Sequence, residues 1–220
     1  MLRIAYALRV MPPTESIRPL QDVWLRPRRV FRELADAPVG LVDQLLGAAQ
    51  GMVGSLAYCR AQDAGAKFSL GQIFGTALVV GSIVGIASLY VMAVIYARIG
   101  TRTAKPAPRR QVVHVLAYGG VPLAMSLGIW VLTALLAGEA TFMQAPRADV
   151  EGFIAILLRA QFVSYVFLMV WSVVLQVMGF SEILGIATRK AFGVWVLGQL
   201  IGALAALFLF VLIATLVPGT

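Results

Sequence analysis

Residues 70–97 read LGQIFGTALVVGSIVGIASLYVMAVIYA, 28 positions without one Asp, Glu, Lys or Arg. A helix rises ~1.5 Å per residue and the hydrocarbon layer of a bilayer is ~30 Å thick, so ~20 apolar residues suffice to cross it. Residues 112–137, 160–180 and 191–217 have the same property. The four stretches total 102 residues; at the chain's own 13% charged composition they would hold about 13 charges, and they hold none. The fold class that follows is all-α, a polytopic integral membrane bundle. A transmembrane barrel fits poorly, because its strands alternate over ~10 residues and are split by turns.

A fifth crossing is read at residues 40–59, between Pro38 and Arg60, although Asp43, Gln44 and Gln50 lie within it. An Asp at a helix centre costs roughly 2.5–3.5 kcal/mol on insertion scales. Asp43 follows Gly40 by only three residues, where that cost falls and a helix N-terminus favours a carboxylate. Charge placement supports the crossing. With five spans one side carries 14 Lys and Arg, and the other carries 4, namely Arg60, Lys67, Arg147 and Arg159. Without the first span the split is 11 to 7, and the positive-inside rule prefers the sharper asymmetry. The expected layout is a transmembrane domain over 39–220 with five helices at about 40–59, 70–97, 112–137, 160–180 and 191–217. Its N-terminus is cytoplasmic and its C-terminus outside.

Residues 1–38 form the expected cytoplasmic N-terminal segment. Only Ile4 to Leu8 separate Arg3 from Arg9, short of the ~7–15 apolar residues of a signal core, so this segment is expected to stay in the mature protein. Residues 11–20, with Pro12, Pro13 and Pro19, read as an irregular linker. From Pro27 a short helix is expected, with Val30, Phe31 and Leu34 beside Arg28, Arg29 and Arg32. Such a basic amphipathic helix lies in the headgroup layer, with Trp24 as interfacial anchor; a helix packed on the bundle is the other reading. Residues 98–111 carry Arg98, Arg102, Lys105, Arg109 and Arg110, no acid, and Pro106 and Pro108. They read as an extended, mobile cytoplasmic loop. The loop before the fourth span is acidic, with Glu139, Asp149 and Glu151, and Arg159 is expected to pair there or to snorkel.

The net charge of +8 would suggest nucleic acid in a soluble protein. Here Lys and Arg gather beside spans, where they fix orientation and meet anionic lipid, so no nucleic acid is expected. Cys59 is the only cysteine and cannot form an internal disulfide. Glycines four apart, at 47 and 51, 71 and 75, 81 and 85, and 198 and 202, mark stripes for close helix contact. They serve one bundle or, in a homo-oligomer, a seam. Pro122, next to Gly119 and Gly120, is expected to kink the third span.

Asp43, Gly47, Gln50 and Gly54 share a helical face, a polar stripe that would look into the bundle. His114 is the only histidine, without a second ligand at metal spacing and without a nucleophile–base–orienter set. No catalytic residue, metal site or cofactor is expected.

Three stretches carry a family resemblance. They are Asp22-Val-Trp-Leu-Arg-Pro-Arg-Arg-Val-Phe-Arg-Glu-Leu, Ala117-Tyr-Gly-Gly-Val-Pro122, and the run from Trp171 through Gly179-Phe-Ser-Glu-Ile-Leu-Gly-Ile-Ala-Thr-Arg-Lys-Ala191. In this order the chain resembles the Yip family, the Ypt/Rab-interacting membrane proteins, in its bacterial branch, over roughly residues 20 to 217. The resemblance implies a five-helix bundle, a cytosolic N-terminus and a non-enzymatic role. Eukaryotic members recruit small GTPases and help organise transport vesicles, which implies a small GTPase as partner by analogy alone. The eukaryotic Asp-Leu-Tyr-Gly-Pro motif is echoed here with Arg26 before Pro27 and one residue more.

The expected function is a membrane organiser or adaptor of the bacterial cytoplasmic (inner) membrane. It would bind anionic lipid and a membrane or cytoplasmic protein partner through Trp24, Arg28, Arg29, Phe31, Arg32, Arg102, Lys105, Arg109 and Arg110. The rival is a small transporter or channel subunit in which Asp43 and Gln50 line a path beside Pro122.

Overall fold

The computed structural model describes residues 19–103, 106–144 and 152–216, and every regular element among them is helical. In chain order these are α1 (Pro19–Leu25), α2 (Pro27–Leu34), α3 (Leu41–Ala61), α4 (Leu70–Thr76), α5 (Ser82–Thr103), α6 (Arg109–Gly119), α7 (Val121–Ala137), α8 (Phe153–Leu184) and α9 (Thr188–Leu216). A π-helical turn at Ala77–Gly81 joins α4 to α5, and 3-10 turns at Ala64–Ala66 and Gly138–Phe142 pack together at one end of the bundle. Two sequence expectations need correction. Pro19 and Leu20, read as linker, open α1, because proline is tolerated in a first helical turn. The loop read at 98–111 is mostly helix, since α5 runs on to Thr103 and α6 starts at Arg109.

Four stretches are long and apolar enough to cross a membrane: Leu70–Thr101, Arg109–Phe142, Phe153–Leu184 and Thr188–Phe208. Leu78, Ile83, Leu135, Phe162, Phe167 and Leu204 stand exposed along them. Water would disfavour so extended an apolar surface, and lipid covers it. This is a multi-pass integral membrane protein. Of residues 40–59, read as a fifth crossing, all but the N-cap Gly40 lie within α3, whose Asp43, Gln44 and Gln50 hold its apolarity below that of the other four.

α3 runs through the bundle against α5, α6 and α7, and α8 packs against α6, α7, α9 and α2. The α3–α5 contact depends on glycine. A Cβ added to Gly85 would stand 2.7 Å from Gly51 Cα, inside van der Waals contact, and one on Gly47 would meet Leu89. By contrast, Gly71 and Gly75 have nothing within 4 Å of an added Cβ.

The second of these four stretches, Arg109–Phe142, is broken rather than continuous. α6 ends at Gly119 and α7 starts at Val121, with Pro122 in its first turn. Around the break, Leu123 N donates to Ser172 Oγ of α8 at 3.0 Å, and Gln50 Nε2 of α3 reaches Ala117 O at 3.2 Å. Neighbouring helices thus supply partners for backbone groups at the discontinuity, which is how lipid-embedded helices tolerate one.

α8 ends in a Schellman turn: Ile186 N donates to Ser181 O, Gly185 N to Glu182 O, and Gly185 takes φ +64°. This turn presents Glu182 and Thr188 to α2. Buried Val30, Phe31, Tyr96, Val115 and Phe180 form the core at this end, with Tyr96 and Phe180 rings 4.5 Å apart. A second core at the other end gathers Val53, Leu56, Ile73, Trp130 and Phe142.

Candidate functional site: a buried acid–imidazole pair beneath a cationic face

α3 starts at Leu41 and α6 at Arg109, and the two helices lie side by side. One turn into α3, Asp43 Oδ2 accepts from Gly40 N at 2.8 Å, which satisfies one of the free N–H groups of the helix start. Its other oxygen, Oδ1, lies 2.7 Å from His114 Nδ1 of α6. His114 Nε2 in turn lies 3.2 Å from Ala37 O, in the turn between α2 and α3. Both side chains are buried, at 3% and 4% exposure.

Both imidazole nitrogens therefore face oxygens. Both contacts are hydrogen bonds either for an imidazolium beside a carboxylate, or for a neutral imidazole beside a protonated acid. In either form the pair has no net charge and one proton between its two members. It ties the turn after α2 to the start of α3 and to the first apolar turns of α6.

Above this pair α2 is held on the bundle. Arg28 Nη2 donates to Thr188 Oγ1 at 3.1 Å, and Arg32 pairs with Glu182 at 2.9 Å. Arg110 reaches Asp36 at 3.4 Å, and Gln111 Nε2 donates to Ala35 O at 3.1 Å. Arg29 pairs with Glu33 on its own helix at 2.6 Å. Val30 and Phe31 are buried at 2% and 1%. Phe31, expected as a lipid or partner contact, is instead covered by the bundle: it packs against Gly179 of α8, where a Cβ would meet its ring at 3.0 Å. Trp24 is half-buried against the same core. Arg28, Arg29, Arg32, Arg109 and Arg110 are exposed. Only the backbone of Arg102 is described, at the end of α5, and Lys105 lies outside the described residues.

Of the polar stripe on α3, Asp43 is wholly engaged with His114 and Gly40, while Gln50 lines a cavity of about 520 Å³ between α3, α5, α6, α8 and α9. Gln176 and Gln199 reach the same cavity from α8 and α9. Gln176 Oε1 accepts from Trp195 Nε1 at 2.8 Å, and Gln199 Nε2 donates to Tyr96 Oη at 3.1 Å. Arg159 is exposed and has no ion pair among the described residues; Asp149 and Glu151, two of the partners expected for it, lie outside them.

Sequence reasoning weighed Asp43 and His114 separately and missed the pair, since 71 positions separate them. A usable signal was present. In the expected five-span layout each stands within three residues of the start of an odd-numbered span, which would put both at one depth on one side.

A bundle of apolar helices closed at one end by a basic, ion-paired cap defines a class: a multi-pass membrane protein with a polar face. A family model for the Yip1 domain matches residues 22–215, and the chain belongs to that family. No curated protein and no solved structure matches it.

Proposed function

We propose that this Yip-family protein is a non-enzymatic membrane organiser or adaptor, which binds anionic lipid and a protein partner through the face formed by α2, the start of α6 and the α8–α9 turn. One observation carries the reading. The arginines of that face stand exposed, and Arg109, Arg189 and Lys190 have no ion-pair partner among the described residues. Cations at the edge of an apolar bundle attract anionic headgroups by roughly 1 kcal/mol each. On this reading α3 is a fifth crossing. Its 21 residues reach ~31 Å, and its start lies level with that of α6 through Asp43 and His114. Residues 1–38 then lie in the cytoplasm, 39–220 form the transmembrane domain, and the membrane is the bacterial inner one. A small GTPase is a partner by family analogy alone.

The test is association of the purified protein with vesicles and with cellular crosslinking partners. Replacing Arg109, Arg189 and Lys190 with Gln leaves α2 clamped and weakens both, most clearly at low salt. Unchanged vesicle binding and unchanged crosslinks would refute the reading. The cavity shared by Gln50, Gln176 and Gln199 supports a second reading, a conduit for a small polar solute. It predicts a flux in proteoliposomes that Gln50→Leu abolishes.

A further inference from the structure

Four buried side-chain polar atoms among the described residues lack a hydrogen-bond partner: Trp130 Nε1, Thr141 Oγ1, Gln161 Nε2 and Trp171 Nε1. Two of these residues, Trp130 and Gln161, line one cavity of about 260 Å³ at the end of the bundle opposite α2. They are each 2% exposed, so neither solvent nor lipid serves their donors from elsewhere. Arg60, half-buried at the last turn of α3, lines the same cavity. Its guanidinium makes one bond, from Nη1 to Gln161 Oε1 at 3.2 Å, and has no ion pair among the described residues. That bond commits the Gln161 oxygen and turns its amide into a donor. Asp63, the carboxylate next along the chain, accepts instead from Gln144 N at 2.7 Å.

The cavity is therefore lined by a guanidinium and by Gln161 and Trp130, whose buried N–H donors lack partners, with one positive charge and no negative one in its lining. Unpaired buried donors are unfavourable, and a guanidinium fork matches oxyanions of carboxylate or phosphate geometry. We infer that Arg60, Gln161 and Trp130 bind the phosphodiester of a membrane lipid. Depth and walls favour a lipid over a free anion. Arg60 and Gln161 sit where their helices meet the edge of the apolar zone, and Phe162, which also lines the cavity, is 56% exposed on the lipid-facing side. A lipid bound there would bridge α3, α7 and α8, independently of the cationic face at the other end.

The full chain, purified in detergent, is titrated with phosphatidylglycerol, with diacylglycerol of the same acyl chains, and with inorganic phosphate. Native mass spectrometry counts retained lipid while thermal unfolding is followed in parallel. Phosphatidylglycerol is retained and raises the unfolding midpoint, and diacylglycerol does not displace it. Arg60→Gln weakens retention about ten-fold, the loss of one charge-assisted contact. Replacing Arg109, Arg189 and Lys190 leaves this tightly held lipid in place. Trp130→Phe keeps an aromatic ring against Phe142 and Tyr165 but removes the donor. Without lipid it unfolds no earlier than the wild type, yet gains less from added phosphatidylglycerol. Equal retention by wild type, Arg60→Gln and Trp130→Phe would overturn the assignment, as would retention of diacylglycerol as tight as that of phosphatidylglycerol. Full stabilisation by inorganic phosphate alone would overturn the lipid and leave a free-anion site. Should Arg60→Gln fail to fold, the crossed pattern in Trp130→Phe decides.

Discussion

Replacing His114 with Leu tests whether the acid–imidazole pair is one unit. In the imidazolium–carboxylate form, two unit charges 2.7 Å apart attract by about 6 kcal/mol at an effective dielectric constant near 20. Removing each ion from water costs several kcal/mol, so the intact pair is close to neutral for stability. Losing one partner is not neutral. In His114→Leu the Asp43 carboxylate, 4% exposed, keeps only Gly40 N, and breaking such a pair destabilises by roughly 3–5 kcal/mol. Asp43→Asn placed on top of His114→Leu removes the stranded charge while its amide oxygen still accepts from Gly40 N. The double variant is therefore expected to regain about 2–3 kcal/mol over His114→Leu alone, a coupling of the size seen between contacting groups. Reversible unfolding in mixed micelles measures all three. A cost below about 1 kcal/mol for His114→Leu, or a double variant no more stable than it, would refute the reasoning.

Two further outcomes follow from packing. Gly85→Ala drives a methyl group into the Gly51 backbone and is expected to destabilise by about 1–3 kcal/mol. Gly54→Ala, with nothing within 4 Å of the new atom, gains helix propensity and is expected to stabilise by about 0.5–1 kcal/mol; the same unfolding assay orders the two. Tyr96→Phe keeps the ring beside Phe180 and removes bonds to Trp195 O at 2.9 Å and from Gln199 Nε2 at 3.1 Å. A loss of about 1–2 kcal/mol is expected by thermal unfolding.

The four long spans were legible because exclusion of charge from hydrocarbon acts on every residue of a segment, and 102 positions record it. α2 was legible as an element, since Pro27 and the apolar residues at 30, 31 and 34 mark its start and its face. What covers that face was not. Burial of Phe31 depends on Gly179, nearly 150 positions away, and amphipathicity alone reads the same for a lipid surface as for a helix bundle. The π turn before Ser82 left no mark in periodicity, because a run apolar on all sides has no phase to shift. The cavity of Arg60, Trp130 and Gln161 lay beyond sequence reading for a different reason. Its character comes from which amide oxygen is already engaged, a matter of side-chain geometry rather than composition.

A crossing by α3 would put the arginine-bearing face on one side of the bilayer and the Arg60 cavity at the other. Single cysteines in a Cys59→Ser background test this with an impermeant thiol reagent applied to sealed vesicles of known orientation. Glu33→Cys, on α2, and Arg189→Cys, at the α8–α9 turn, are expected to react only from the cytoplasmic side, and Asp63→Cys only from the opposite side. Labelling of Asp63→Cys from the same side as Glu33→Cys would contradict the fifth crossing and, with it, the assignment of the two ends to opposite membrane surfaces.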